Sequence, residues 1–243
     1  MSIPEPSAAT PRDAGNWAEK VVRLSVSDDV AAQGFAVAGK RLTGPQQGFG
    51  RLWQRAYWVD LGDAVAPLDL VADWKQSFGS FWPKGATFHE SLTGLAPGSV
   101  TPLSVATGAG VRLSTGILVL YADDEAFTFM TPEGHMFAGW ITFSGTATED
   151  GGTRARIEVL IRPNDPLYEL GWPVMRRKED TFWMATLRNL AAHHGVTDAV
   201  VGTTTRCVDK HRIWSNWSNV RHNAGIRSVL HMLSAPFRAL RRR

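Results

Sequence analysis

The sequence contains a single cysteine, Cys207, among its 243 residues. One cysteine cannot form a disulfide within the chain, and this favours a reducing compartment, so we expect a cytoplasmic protein. No hydrophobic run approaches the ~20 residues that a membrane-spanning helix needs. The first residues, MSIPEPSAATPRDAG, lack the basic start and the apolar run of a secretory signal. We therefore expect residues 1–20 to be a disordered leader.

Motifs for nucleotide, metal and covalent chemistry are also missing. The sequence contains no nucleophile elbow, Walker A loop, dinucleotide fingerprint or zincin motif. The glycine-rich GAGVRLSTG opens a strand pattern and not a helix, so it offers no helix N-terminus to a phosphate. His193 and His194 are adjacent, which points their side chains apart on a helix, and no third ligand lies at a recognisable spacing. The sequence therefore predicts no cofactor and no metal site.

The sequence is rich in large apolar rings, and its charge is unevenly distributed along the chain. Only 3 Tyr accompany 10 Trp and 11 Phe, a composition that suits a thick core or an apolar cavity. The formal net charge is +3, but the segment after residue 206 carries eight Lys or Arg and a single acid, so the preceding residues are net negative. The tail, and not the body, is then the part that would attract phosphates or anionic lipid.

The order of the periodic patterns predicts an α+β protein. A strand over residues 52–61 is followed by helical spacing over residues 66–83, which allows one helix or two short ones. Six further strand patterns lie between residues 86 and 162, separated by turn signals and never by a helix, which indicates an antiparallel meander. The last of them, RARIEVLIR, alternates apolar and charged residues. It predicts one buried face and one wet face, with Arg162 on the wet face.

A long helix is predicted after the strands. Asp165 is a suitable N-cap, Pro166 suits the first helical position, and Gly195 is a suitable stop. Pro173 is expected to kink or restart this helix. A short helix capped by Ser27 is expected near the N-terminus.

This order of elements resembles the START-like, Bet v 1-like superfamily, also called SRPBCC or helix-grip proteins. Within it, the chain is similar to actinobacterial-type members and to the polyketide cyclase and lipid-transport group. The resemblance rests on DLVADWKQSFGSFWP, in the position of the first helix pair, and on RARIEVLIRPNDPLYELG, which leads into the gripping helix. It implies a curved antiparallel sheet of about seven strands packed on a long C-terminal helix, with extra N- and C-terminal helical segments.

The resemblance also divides the chain. After the leader it implies a helical extension over residues 21–50 and a START-like domain over residues 51–195. Residues 196–243 then form a basic C-terminal extension with an amphipathic helix.

A cavity between the sheet and the long helix is the site that the resemblance implies. The leading hypothesis is the binding or transport of a hydrophobic small molecule or lipid in this cavity. One alternative is an enzyme of polyketide cyclase, aromatase or hydratase type, which needs a polar side chain with a shifted pKa there; His89, Glu90 and Tyr121 are the candidates. Another alternative is an interaction module that acts through the basic tail. The residues expected to line the cavity are Glu90, Tyr121, Phe129, Trp140 and Trp183.

Two stretches with carboxylates leave alternatives open. Glu90 alternates with apolar residues in a short strand, so it either faces the interior or is solvated on an edge. In TPEGH, Pro132 and Gly134 favour a hairpin turn that places Glu133 at a solvated tip. The other interpretation of TPEGH is an acid–base pair of Glu133 with His135.

The tail, NAGIRSVLHMLSAPFRALRRR, predicts a basic amphipathic helix because its apolar residues recur at spacings of three and four. This helix packs on the domain, packs on a second copy in a homodimer, or contacts the inner face of a membrane peripherally. Nucleic acid is not expected as a partner, because the stretch of Trp and basic residues before the helix matches no known module. The residues assigned to this membrane or partner surface are Arg227, Phe237, Arg238, Arg241 and Arg242.

Overall fold

An antiparallel sheet and one long helix make up most of the structure, a computed structural model that describes residues 13–31, 36–89, 94–108 and 111–233. The strands are β1 (Leu42–Thr43), β2 (Leu52–Gly62), β3 (Ala86–Phe88), β4 (Val100–Gly108), β5 (Val111–Ala122), β6 (Ala126–Pro132), β7 (Phe137–Ala147), β8 (Thr153–Pro163) and β9 (Val201–Asp209). The helices are α1 (Pro67–Gln76), α2 (Pro166–His193) and α3 (Ala224–Leu233). The strand order is β3-β4-β5-β6-β7-β8-β2-β9, with β1 paired to β6 outside it.

The predicted α+β architecture is confirmed, with α2 packed on the sheet as the helix-grip arrangement requires. The inner face of the sheet, which we define as the face toward α2, carries the apolar residues of the alternating strands. On β8 these are Ala155, Ile157, Val159 and Ile161, each at most 3% exposed. Their burial against α1 and α2 supplies the main apolar core.

The start and the stop of α2 follow the sequence prediction. The Asp165 side chain accepts hydrogen bonds from the backbone N–H groups of Leu167 and Tyr168, which satisfies two donors at the helix N-terminus. Gly195 follows the last turn with a φ of 81°, a conformation that glycine adopts without strain. The helix runs through Pro173 as one element and does not restart there.

The residues between the first long strand and the meander form two short elements. Helix α1 begins with Pro67 in its first turn, and a 3₁₀ helix over Phe78–Phe81 follows it. Leu70, Trp74 and Phe78 are fully buried, so the apolar spacing in the sequence identified the packed side of both elements.

The sheet is larger than the predicted seven strands, because part of the C-terminal extension joins it. Strand β9 pairs antiparallel with β2 from Leu52 to Val59. Its sequence, VGTTTRCVD, is rich in β-branched residues, which explains why it forms a strand.

The N-terminal extension differs from the expected helix. Where the sequence predicted a helix capped by Ser27, the structure has a 3₁₀ turn over Asp28–Val30, and residues 32–35 lie outside the described part. Three glycines between residues 34 and 44 disfavour a continuous helix. Instead, this segment covers the outer face of the sheet, where Leu24 and Val37 pack with Leu118.

Arg162 is the second difference from the sequence prediction: it was expected to be exposed to solvent, but it is buried. Its side chain is 2% exposed and donates to the carbonyl oxygens of Gly50 (2.6 Å) and His211 (2.8 Å). It also pairs with the Asp209 carboxylate. The alternation of β8 correctly placed Arg162 on the outer face, but chain segments distant in sequence cover that face.

Candidate functional site

Aromatic rings fill the part of the interior that lies under α1. Phe78 contacts Phe88 and Phe143 with ring centroids 4.9 and 5.0 Å apart, and Phe127 stacks on Phe143 at 4.8 Å. Trp74 adds an edge contact to Phe143 at 5.3 Å. This end of the interior is a packed core, because the rings touch one another in edge-to-face and stacked pairs.

The middle of α2 is less deeply buried than its two ends. Trp172 is 2% exposed near one end, and Leu187 is 0% exposed near the other. Between them, Met175 and Trp183 pack against the core but are only half-buried. The Glu179 side chain, in the same stretch, is 10% exposed. Helix α2 is therefore most deeply buried near these two residues, and the zone between them is partly accessible.

The strands below this zone are half-buried as well. Ile141 on β7 and Trp53 on β2 belong to the inner face but remain partly accessible. In the strand register Ile141 pairs with Val159, which pairs with Arg55, so these side chains form one row across the sheet. We call the zone between this row and the middle of α2 the central cleft; its walls include Trp53, Ile141, Met175, Glu179 and Trp183.

A group of polar side chains lies in the central cleft. Arg55, with a fully buried side chain, pairs with the carboxylates of Glu179 and Asp180 on α2. The Tyr57 hydroxyl donates to Asp180 Oδ1 at 3.1 Å. The Arg55 guanidinium also lies 5.3 Å from the centre of the Tyr57 ring and 5.7 Å from that of Trp172. We call Arg55, Tyr57, Glu179 and Asp180 the cleft cluster.

The electrostatics of the cleft cluster follow from its burial. Burial raises the pKa of Glu179, and the neighbouring positive charge of Arg55 opposes this rise without cancelling it. Burial also raises the pKa of Tyr57, and the negative charge of Glu179 adds to the effect. One guanidinium thus faces two carboxyl groups, one of which holds a proton to a higher pH than usual. Such a cluster can donate and accept hydrogen bonds and can exchange a proton.

The cleft cluster was missed in the sequence, although one signal was readable. Trp53, Arg55, Tyr57 and Val59 alternate onto the same face of β2. An arginine in that apolar row must find a buried partner. The sequence could not show that the partners would come from the middle of α2, more than 120 residues later in the chain.

The residues predicted to line the cavity are dispersed. Phe129 lies on the inner face within the aromatic core, and Trp183 lies on α2, 5.6 Å from the Phe143 ring. Trp140 pairs with Met130 and Leu160 and alternates to the outer face, away from α2. The cavity-lining role of these residues stays a prediction.

The polar candidates for the cavity lie elsewhere or outside the described residues. Tyr121 lies near the end of β5, where its hydroxyl donates to Asp123 and its ring contacts Trp17 at 4.7 Å. The His89 imidazole lies 3.3 Å from the Ser104 hydroxyl. Glu90 falls outside the part of the chain that the structure describes.

The TPEGH stretch forms the predicted hairpin between β6 and β7, but its carboxylate is not at a solvated tip. The Glu133 side chain is 12% exposed, and its Oε1 lies 3.0 Å from Arg41 and 3.6 Å from His222. The backbone N–H of Phe137 donates to His135 Nδ1, and burial lowers the pKa of His135 to about 4. Glu133 and His135 therefore make separate contacts, which gives no support to an acid–base pair.

The first part of the basic tail packs on the domain. In α3 the Ser228 hydroxyl accepts from the Ser114 N–H at 3.1 Å, and the Gly225 N–H donates to the Tyr168 hydroxyl. Arg227 is exposed on this helix. The other residues assigned to the tail surface, which lie outside the described part, are Phe237, Arg238, Arg241 and Arg242. The membrane, partner and homodimer roles of the tail remain predictions.

A membrane-spanning helix was not expected, and the described residues contain no helix that is both long and apolar enough to cross a membrane.

Comparison with solved structures finds several proteins of similar shape. The two-domain ARO/CYC protein StfQ from the steffimycin biosynthetic pathway is 11% identical, with a TM-score of 0.47; the match covers 60% of this chain and 51% of that one. Ara h 8.0201 is 12% identical, with a TM-score of 0.41 and coverages of 58% and 97%. Protein Ms6760 from Mycobacterium smegmatis is 17% identical, with a TM-score of 0.40 and coverages of 58% and 89%.

The matched region corresponds to about half the length of the two-domain protein. At these identities and TM-scores, the similarities say nothing about ligand or reaction.

The sequence comparisons identify a family. No curated protein matches the sequence. One family model matches residues 26–194, and so it includes most of the N-terminal segment that the sequence resemblance left outside the domain. Since that match spans well over half of the chain, the protein belongs to the family described as a domain of unknown function, DUF1990.

Proposed function

We propose that the protein binds an apolar small molecule or lipid in the central cleft. The observation that carries this proposal is the partial burial of the middle of α2. Met175 and Trp183 remain half-buried there, although the same helix is fully buried at Trp172 and Leu187. Small-molecule sites are mostly apolar clefts with a few polar groups that fix orientation, and the central cleft has both parts.

The walls of the cleft suit a ligand with an apolar body. Trp53, Ile141 and Trp183 offer large apolar surfaces, and Met175 can adapt its shape because its side chain is unbranched. A ligand that covers these partly accessible groups removes apolar surface from water, which stabilises the complex by ~25 cal/mol per Å².

The cleft cluster suits a polar group on one end of that ligand. The Arg55 donors already contact Thr205, Glu179 and Asp180. Asp180, with 35% of its side chain exposed, can turn toward solvent as a ligand enters, and Arg55 can then donate to a carboxylate, carbonyl or phosphate of that ligand. A purely apolar ligand leaves these groups as they are, whereas an amphipathic ligand gains charge-assisted hydrogen bonds. The cluster therefore favours an amphipathic molecule.

Native mass spectrometry of gently purified, full-length protein tests this proposal, followed by organic extraction of the same sample. We expect a bound mass that disappears on extraction and an extract that contains an amphipathic compound. If gently purified protein carries no added mass and takes up no fatty acid or aromatic acid offered to it, the proposal is wrong.

Acid–base catalysis in the same cleft is a second candidate, favoured by Glu179. Its carboxyl has a raised pKa and lies in a partly accessible cleft, as a general acid requires. The test compares the compounds extracted from wild-type protein and from Glu179→Gln. An enzyme should carry product or nothing in the wild type and accumulate substrate in the variant. The same compound in both would leave binding without catalysis.

A further inference from the structure

Three metal-ligating side chains meet where the C-terminal end of α2 lies against α1. Asp73, His193 and His194 each place one nitrogen or oxygen ligand atom within 4.8 Å of the other two. The Asp73 Oδ2 and His194 Nε2 atoms are 4.0 Å apart. We propose that these side chains form a binding site for a divalent transition-metal ion of the zinc type.

The burial of His194 and its ring nitrogen, unpaired within the described part of the chain, are the first reason for this proposal. Its side chain is only 8% exposed, and Nε2 has no hydrogen-bond partner among the described residues. A buried polar atom without a partner costs ~1–3 kcal/mol. The separation of 4.0 Å from Asp73 is too long for a hydrogen bond, so the carboxylate does not satisfy this nitrogen directly.

The separation of the Asp73 and His194 atoms is close to that of two ligands of one ion, and the ligand atom of His193 lies within 4.8 Å of both. Zinc binds nitrogen and carboxylate oxygen at ~2.0–2.2 Å, so two ligands in a tetrahedral arrangement lie ~3.4 Å apart. The Asp73 side chain is 46% exposed and can therefore move the remaining few tenths of an ångström. An ion at this position would supply the partner that His194 Nε2 lacks.

The two adjacent histidines lie at the C-terminal end of α2. In a continuing helix, neighbouring side chains diverge by ~100°. His193 is the last helical residue, and His194 is the C-cap. Their ring centroids lie 5.0 Å apart, and the Phe81 ring packs on His193 at 5.3 Å.

Two imidazoles and one carboxylate are a ligand set that zinc accepts, and three protein ligands leave a fourth position for water. His193 is exposed and Asp73 is half-buried, so an ion here would be reachable from solvent. The ion would also link α1 to the end of α2, and its binding would add to the stability of the fold.

The experiment uses tag-free, full-length protein that has been treated with a chelator. Zinc is titrated calorimetrically, and cobalt is added in parallel because its visible absorption reports the coordination of the ion. We expect one ion per chain and a higher melting temperature with zinc. His194→Gln, His193→Asn and Asp73→Asn should each weaken zinc binding by at least ~10-fold.

Two variants serve as matched controls. Asp69→Asn changes an exposed carboxylate one turn before Asp73 on α1. His211→Asn removes a histidine outside the proposed site, whose side chain is 94% exposed. Both should bind zinc as the wild type does, and circular dichroism confirms that every variant folds. The proposal is overturned if the wild type binds no stoichiometric zinc, or if the Asp73, His193 and His194 variants retain its affinity.

Discussion

Arg55 and Arg162 are both almost completely buried, but they meet different kinds of partner. Arg55 lies on the inner face and pairs with two carboxylates of α2, one of which belongs to a 35% exposed side chain. Arg162 lies on the outer face and also has a carboxylate partner, Asp209, whose side chain is 34% exposed. Unlike Arg55, it donates in addition to the main-chain oxygens of Gly50 and His211. We call Arg162 and these three partners the terminal clamp.

The difference shows that burial of a charge does not by itself mark a functional site. The clamp uses backbone oxygens, which have fixed positions, and so it ties the N-terminal and C-terminal segments to the sheet. The cleft cluster uses side-chain carboxyls on a partly accessible helix, and these can change partner or protonation state. The partners of a buried arginine therefore distinguish the structural role of Arg162 from the ligand-binding role that we propose for Arg55.

Replacing the cleft arginine should have the largest effect on stability. Arg55→Ala leaves Glu179 and Asp180 side by side in a buried site, which costs ~3–5 kcal/mol of unfolding free energy near neutral pH. Because Arg55 opposes the rise in the pKa of Glu179, its loss should raise that pKa further. Urea denaturation at several pH values measures both effects.

The sign of the pH dependence follows from linkage. When the pKa of a carboxyl group is higher in the folded protein than in the unfolded chain, the unfolding free energy falls as the pH rises from the unfolded-state pKa through the folded-state pKa. The loss of unfolding free energy in Arg55→Ala, relative to the wild type, should therefore be smaller at about pH 5.5 than at about pH 7.5. A deficit that stays constant or grows toward low pH would show that Glu179 does not take up the proton.

Replacing the clamp arginine should cost slightly less and respond differently to pH. Arg162→Ala should lower the unfolding free energy by about 3 kcal/mol, since the buried carbonyl of Gly50 and the partly buried carbonyl of His211 lose their donor. The His211 N–H, together with Arg162, holds the pKa of Asp209 well below its usual range, and Asp209 stays ionised throughout the pH range compared. Urea denaturation at the same pH values should therefore give a loss of unfolding free energy that does not depend on pH. If Arg162→Ala regained much of its stability at low pH, the terminal clamp and the cleft cluster would not differ in this respect.

An exposed arginine on the same strand as Arg162 should show the smallest effect. Arg154 pairs with Asp60 at 2.5 Å, but their side chains are 36% and 54% exposed. Because water screens such a pair, Asp60→Asn should change the unfolding free energy by less than ~0.5 kcal/mol. A loss comparable to that of Arg162→Ala would mean that partner geometry matters more than burial.

Local patterns in the sequence predicted much of the fold. The alternation in β8 gave its buried face, and the Asp165-Pro166 pair gave the start of α2, because period and capping depend only on neighbouring residues. The joining of β9 to β2 was not predicted, since strand pairing links residues far apart in the chain.

The candidate sites depended on contacts that no local pattern contains. Arg162 looked solvated because its partners come from other segments, and Glu133 looked solvated because Arg41 and His222 cover it only in the fold. His193 and His194 gave no metal signal because Asp73, the carboxylate that lies close to them in the fold, comes about 120 residues earlier in the chain. The sequence predicted which residues share a face of a strand or helix, but it did not predict which distant segments pack on that face.

The most direct test of the central cleft compares two neighbouring residues of α2. Met175 points into the cleft, whereas Val174 is 61% exposed, so a tryptophan at position 175 should fill the cleft and one at position 174 should not. The measurement is a fluorescence titration with 8-anilino-1-naphthalenesulfonate, an apolar ring system with one negative charge. We predict saturable binding to the wild type and to Val174→Trp, and at least ~10-fold weaker binding to folded Met175→Trp, since the added ring occupies the ligand volume. Equal binding by the two variants would contradict the assignment of the cleft as the ligand site.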